Sequence, residues 1–179
     1  MKLLVSSDIH GSLKYLNILL EQEKKYAVDK IVLLGDLYYH GPRNSLPEGY
    51  APMKVCEVLN SIKDRIIVLK GNCDAEVDEM ISSFPFNLYY YTLNSKGDKL
   101  SFTHGHHIDS EMKKNSGKVL FYGHSHIFDI KNEDGLLLAN PGSISLPRNS
   151  SSRNFFIVDE NSIEVHDLVT DNITSKINY

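Results

Sequence analysis

Five short polar clusters each follow directly on an apolar run. They read Asp8-Ile9-His10-Gly11, Gly35-Asp36, Gly71-Asn72-Cys73-Asp74, His104-Gly105-His106 and Gly123-His124-Ser125-His126. Carboxylate, imidazole and amide donors together suit manganese, iron, cobalt, nickel and zinc. Alternation along an extended segment would put Asp8 and His10 on one side, and likewise His124 and His126. The neighbouring glycines let the backbone turn sharply and approach an ion or a phosphate. Asp8, His10, Asp36, Asn72, His104, His124 and His126 are more donors than one ion needs. Two ions sharing one carboxylate would use them all. Singly, each cluster has an ordinary reading, since Gly-Asp and Gly-Asn are common turns and exposed histidines are unremarkable. Five together, each at the end of an apolar run, argue for a shared site.

The runs before these clusters define the elements that must bring them together. Leu3-Leu4-Val5, Ile31 to Leu34 and Ile66 to Leu69 read as buried strands. Between them, Ser12 can cap a helix with Leu13, Leu16, Leu19 and Leu20 on one face, and Val55, Val58, Leu59 and Ile62 recur at helical spacing. Strands alternating with helices predict βαβ units and a parallel sheet, with ligands beyond the carboxyl ends of the strands. The second half reads as mostly strand: Leu88 to Leu93, Leu100 to Thr103, Val119 to Tyr122, Ile127 to Lys131, Leu136 to Ala139, Phe155 to Val158 and Ile163 to Leu168. Turn signals at Lys96-Gly97-Asp98, Asp134-Gly135 and Asp159-Glu160-Asn161 separate several of these. Nothing resembles a linker, so residues 1–179 are expected to form one domain with two packed sheets. The polar stretch from Ser143 to Ser152 reads as a mobile loop.

Composition limits the partners. The 179 residues are 41% hydrophobic and 23% charged, an ordinary globular balance. The formal net charge of -4 disfavours a chain that grips nucleic acid by basicity. Cys56 and Cys73 match no zinc-ribbon or redox spacing and read as free thiols in a reducing compartment. The apolar run at Met1 to Val5 is too short for a signal peptide or a membrane span, so the cytoplasm is the expected location. The P-loop and Gly-x-Ser-x-Gly patterns are both absent from the sequence, which removes two rival routes to nucleotide or ester chemistry.

The order of clusters resembles the calcineurin-like metallophosphoesterase superfamily, whose pattern is D-x-H, G-D, G-N-H-D/E, H-G and G-H-x-H. His40-Gly41-Pro42-Arg43-Asn44, Gly71-Asn72-Cys73-Asp74 and Asn140-Pro141-Gly142-Ser143 narrow the resemblance to small bacterial phosphodiesterases of that family. The resemblance implies a four-layer α/β/β/α sandwich of two facing mixed sheets. It implies two divalent ions, with manganese favoured and iron, nickel, cobalt or zinc as alternatives. Asp8, His10, Asp36 and His126 would hold one. Asp36, Asn72, His104 and His124 would hold the other, with Asp36 bridging. The implied activity is hydrolysis of a small-molecule phosphodiester by a hydroxide between two ions about 3.5–4 Å apart, with no protein nucleophile. Two such ions would bring the formal charge from -4 to zero, so an acidic chain could still present a positive site to a phosphate.

One position departs from the pattern. The residue after Asn72 is usually His and is Cys73 here. A thiol, titrating near 8.5, is a poor proton donor to a basic alkoxide. That favours phosphodiesters or activated esters over phosphomonoesters; the bland reading of Cys73 is a small buried hydrophobe. Arg43 can reach a substrate phosphate or form a salt bridge within its loop. Asp74 can orient a ligand or cap a helix. His106 is read as a neighbour of the site rather than a ligand. Rival functions are a non-catalytic scaffold on the same fold, which the filled ligand positions disfavour, and a nuclease or phosphomonoesterase. The tyrosine run Tyr89 to Tyr91 makes a dimer or tetramer an open expectation.

Overall fold

The computed structural model describes residues 1–95 and 97–179, so Lys96 of the expected turn lies outside the described residues. Strands β1 (Leu3–Ser6), β2 (Lys30–Leu33) and β3 (Ile66–Val68) pair in parallel. Helices α1 (Leu13–Tyr26) and α2 (Pro52–Ser61) make the crossovers. Ser12 caps α1, its Oγ accepting from Tyr15 N, as its position before the apolar stripe predicts. Three antiparallel strands extend the sheet on the other side of β1: β9 (Asn154–Val158), β10 (Ser162–Asp167) and β11 (Ile173–Asn178). The sheet order is β11-β10-β9-β1-β2-β3.

The second sheet has the order β4-β5-β6-β8-β7. It comprises β4 (Tyr90–Ser95), β5 (Asp98–Thr103), β6 (Val119–Phe121), β7 (Asp129–Glu133) and β8 (Leu136–Asn140). Strands β5, β6 and β8 are parallel, and the outer two are antiparallel. The β7–β8 hairpin turns at Asp134 (φ 53°) and Gly135 (φ 89°), the left-handed pair that a two-residue turn demands.

Period-two alternation sorts the strands' side chains into separate layers. Leu3, Val5, Val32, Phe156 and Val158 face Phe102, Val119, Phe121, Leu137 and Ala139 between the sheets. Phe102 and Phe121 stack there at 5.0 Å. Leu4, Ile31, Leu33, Phe155 and Ile157 face the other way, onto Leu16, Leu19, Val55 and Leu59 of α1 and α2. Leu120, Leu136 and Leu138 form a thinner outer layer with Ile108. Burying each such side chain contributes about 1.5–3 kcal/mol. This is the expected sandwich of two facing mixed sheets, with few helices outside.

Three elements lack a sequence signal. Helices α3 (Glu76–Ile81) and α4 (Ser110–Asn115) have six residues each, too few to display a 3.6-residue period. Strand β11 is an exposed edge on which Ser175, Lys176 and Asn178 mask any alternation. Nor does the Ser143–Ser152 segment begin as a free loop. Ser143, Ile144 and Ser145 are buried, and the hydroxyls of Ser143 and Ser145 donate to Asp8 O at 2.7 and 3.1 Å.

Candidate metal centre

The carboxyl ends of β1, β2 and β3 deliver Asp8, Asp36 and Asn72. Those of β5 and β6 deliver His104, His124 and His126 from the facing sheet. Asp8, His10, Asp36 and His126 each present a donor atom within 4.8 Å of the others, and all four are buried. His126 Nε2 lies 3.4 Å from Asp8 Oδ1, and His10 Nε2 lies 3.6 Å from Asp36 Oδ2. The same Asp36 oxygen is 3.5 Å from His104 Nε2. His104 Nε2 is in turn 3.0 Å from Asn72 Oδ1, and His124 Nδ1 is 2.6 Å from that oxygen. All seven sequence-derived donors therefore converge, in two groups that share Asp36.

Three imidazoles are aimed by backbone carbonyls. His10 Nδ1 donates to Tyr39 O at 2.7 Å, His104 Nδ1 to Leu34 O at 2.7 Å and His126 Nδ1 to Leu146 O at 2.9 Å. A carbonyl only accepts, so these bonds hold a proton on each Nδ1 and turn each Nε2 inward, where it can ligate once it gives up its own proton. His10 Nε2 and His126 Nε2 then face each other at 3.0 Å. Asp8 Oδ1 is buried with no hydrogen-bond partner. A buried carboxylate oxygen without a hydrogen bond, beside converging imidazole nitrogens, fits a cation.

The backbone does not reach this arrangement by extension. Asp8 (φ 57°), His10 (φ 48°), Asp36 (φ 54°), His124 (φ 67°) and His126 (φ 61°) are all left-handed. The expectation that Asp-x-His and His-x-His align on an extended segment is therefore corrected: tight left-handed turns bring their side chains together. Each such residue costs roughly 1 kcal/mol or more and persists only where its surroundings hold it. Here they do. His10 N donates to Asp36 O at 2.8 Å, Gly123 N to His104 O at 2.8 Å and His124 N to Asp8 Oδ2 at 3.1 Å. Gly123 must be glycine, because a Cβ there would sit 1.9 Å from Ser7 Oγ and 2.7 Å from Asp8 Oδ2.

Asp74 caps nothing, since α3 begins after Ala75. Its carboxylate instead accepts from Asp36 N at 2.8 Å, Leu37 N at 2.9 Å and Gly71 N at 2.7 Å. It thereby ties the loops after β2 and β3 together. Burial, then the Asp36 charge, pushes its carboxyl up to about 6, against the pull of those three N–H donors. Cys73 N donates to Asp36 Oδ1 at 2.8 Å, and burial followed by the Asp36 charge pushes the thiol up to about 12.

A family profile for the calcineurin-like phosphoesterase superfamily domain matches residues 1–162. The chain belongs to the calcineurin-like phosphoesterase superfamily. Over 99% of its length it is 37% identical to phosphodiesterase YfcE of Escherichia coli K12, covering 97% of that protein. The structure of the E. coli Yfce phosphoesterase superposes with a TM-score of 0.93, covering 99% of both chains. Vps29 of Entamoeba histolytica, solved with zinc, shares the fold at 18% identity and a TM-score of 0.65 over 99% of each chain. Family and relative together support a phosphoester hydrolase.

The Asp and His cluster opens into a cavity of about 740 Å³. Arg43 lines it, exposed and with no ion pair among the described residues, so the loop salt bridge is not formed. Arg148 lines the same cavity and was not legible in the sequence. Its N donates to His126 O at 3.0 Å and its Nη2 to Asn44 Oδ1 at 2.9 Å, which links the His126 turn to the Arg43 loop. The clue was its place a few residues after Asn140-Pro141-Gly142-Ser143. His106 stands 5.3 Å from His104, ring to ring, and lines no part of the cavity. Among the described residues no helix is long and apolar enough to cross a membrane.

Proposed function

We propose that the chain is a binuclear-metal-dependent phosphodiesterase acting on small soluble phosphodiesters, with residues 1–179 forming one domain. The carrying observation is Asp36 Oδ2, 3.6 Å from His10 Nε2 and 3.5 Å from His104 Nε2, beside the orphaned Asp8 Oδ1. Asp8, His10, Asp36 and His126 would hold one ion; Asp36, Asn72, His104 and His124 would hold the other. Manganese is the ion that the family resemblance favours, while the carboxylate and imidazole donors also suit iron, cobalt, nickel and zinc. Two divalent ions supply an activated water at neutral pH and positive charge for the phosphoryl oxygens. The free thiols of Cys56 and Cys73 fit a cytoplasmic location.

The chain's own residues set what that chemistry can act on. Asp74 fixes the backbone that carries Asp36 and Asn72. Arg43 and Arg148 offer planar guanidinium donors to the non-bridging phosphoryl oxygens at the cavity rim. By the resemblance, Cys73 stands where a proton donor to the departing oxygen is usual, and its thiol, pushed up to about 12, would assist departure only weakly compared with an imidazolium. Turnover then depends on a leaving group that departs unaided. Cys73→His should raise activity on alkyl esters relative to aryl esters by about tenfold or more, as a positioned acid does. An unchanged ratio across a panel of monoesters and diesters would refute this role.

Metal affinity should rise with pH. In the metal-free protein, burial alone would lower the His104 imidazole. Its hydrogen bond to Asp36 and the charges of Asp8 and Asp36 outweigh that and push it up to about 9. His10 is raised too, burial being outweighed by Asp8 and Asp36. Burial likewise works against Asp8 and Asp36, yet the neighbouring histidines hold both carboxyls low. The stability these histidines lend the metal-free fold is full below their ordinary 6.5 and is lost as pH rises through their raised values, about 9 for His104. The carboxylates' share is present above their ordinary 3.8 and is lost on acidification. An incoming ion must displace the histidine protons. Calorimetry at pH 7 in buffers of different ionisation enthalpy should detect proton release, and Mn²⁺ affinity should weaken from pH 9 to pH 6. Affinity independent of pH would contradict this account of the ligands.

The function itself is tested with metal-stripped protein reconstituted ion by ion and assayed on a chromogenic diester. Restored hydrolysis supports the enzyme. If no ion restores hydrolysis of any diester, the scaffold reading takes its place.

A further inference from the structure

A second cavity opens against the first. It encloses about 390 Å³, inside the roughly 300–1,000 Å³ range of small-ligand sites. Tyr39, Cys73 and Ala75 line both cavities. Beyond that junction the wall is apolar, made by Tyr50, Pro52, Met53, Val77 and Ile81. Met53 and Val77 are 57% and 60% exposed, so apolar side chains stand in water beside the cavity that holds the Asp and His cluster. Asp78 also reaches this wall, but its Oδ2 accepts from Ala75 N at 2.8 Å and is spent on the backbone. The aromatic side is braced from behind. The His40 ring meets Tyr39 edge-on at 4.9 Å and Tyr50 at 5.4 Å.

The junction fixes what such a cleft would take. Cys73 N is bonded to Asp36 Oδ1, so the cleft begins one residue from the carboxylate shared by the two donor groups. A phosphoryl group held over Asp36 has an ester substituent on the Cys73 side, and beyond Cys73 that substituent meets tyrosine rings and a thioether. We propose that this cleft is the subsite for an aromatic ester substituent of the phosphodiester, and that it selects diesters carrying a ring over those with short alkyl groups. The proposal rests on the phosphodiesterase reading above. Tyr39 and Tyr50 would pack on the ring by edge or offset contact, and the Met53 sulfur suits its rim.

Phenylphosphonate and methylphosphonate separate the cleft from the phosphate site, because each carries one substituent on a P–C bond that is not hydrolysed. Both are titrated calorimetrically into the Mn²⁺-loaded protein. The parent should bind the phenyl compound about tenfold more tightly, as partial burial of one ring allows. Met53→Glu with Val77→Asp should bring that ratio close to one. Should the double variant fail to fold, Met53→Ala should still lower the ratio by about two- to threefold. If methylphosphonate binds but the parent shows no phenyl preference, the cleft is not a subsite and the phosphodiesterase reading survives. A preference untouched by the substitutions also overturns it, as does a substitution that splits an oligomer and leaves the ratio alone. If neither phosphonate binds, the phosphate site fails and takes this inference with it.

Discussion

Asp36→Asn should remove both ions and nearly all hydrolysis. Asp36 Oδ2 stands between His10 and His104, so it is the donor that both groups share. An amide carries no charge to offset two divalent ions and presents a single acceptor. The expected loss in kcat/KM is on the order of 10⁴-fold, since several kcal/mol of charge stabilisation leaves with the ions and about 1.4 kcal/mol is tenfold. The backbone around it should hold. Asn at this position keeps an oxygen for Cys73 N, and its own N–H still reaches Asp74. Elemental analysis after dialysis should find the ions gone while circular dichroism stays that of the parent. A variant that keeps two ions and stays within tenfold of parental activity would show that Asp36 does not bridge.

Asp74→Ala should cost both stability and metal. Asp36 N, Leu37 N and Gly71 N all donate to this one buried carboxylate. A buried donor left unsatisfied costs about 1–3 kcal/mol, and with partial relaxation three should cost roughly 3–5 kcal/mol together. Urea unfolding of the metal-free protein reads this directly. Because the same bonds fix the loops of Asp36 and Asn72, metal affinity should also fall by about 10–100-fold. Asp74→Asn should lie between, since its amide oxygen can still accept while its NH₂ faces N–H groups. Metal-free Asp74→Ala within about 1 kcal/mol of the parent would mean that water replaces the carboxylate and that Asp74 is dispensable.

The candidate ligands were legible because each cluster follows an apolar strand and contains a glycine, although Asp8 and His126 themselves adjoin none. Asp36 and Asn72 follow Gly35 and Gly71, and a Cβ at Gly71 would sit 2.1 Å from Asp36 Oδ1. The close approach that requires glycine is thus written next to the ligand it serves. The sandwich was legible from the alternation of Leu, Val, Ile and Phe along the strands. The local path of the chain was not. Asp and His tolerate the left-handed region better than most residues, but that weak preference does not single out Asp8, His10 and His126, whose turns are held by long-range bonds such as those from Ser143 and Ser145 to Asp8 O. The carbonyls of Tyr39 and Leu146 that aim His10 and His126 carry no sequence signal, because any residue supplies a carbonyl. Arg148 lay inside a polar stretch whose composition resembles a loose loop. The buried Ser143–Ser145 segment before it and the bonds from Arg148 N to His126 O and from its Nη2 to Asn44 Oδ1 anchor that arginine at the site.

The most direct test of the central claim is anomalous diffraction from crystals of the Mn²⁺-reconstituted protein. The account predicts two manganese peaks per chain, about 3.5–4 Å apart. One should be ligated by Asp8, His10 and His126, the other by Asn72, His104 and His124, with Asp36 on both. A single peak, or two peaks that do not share Asp36, would contradict the binuclear centre.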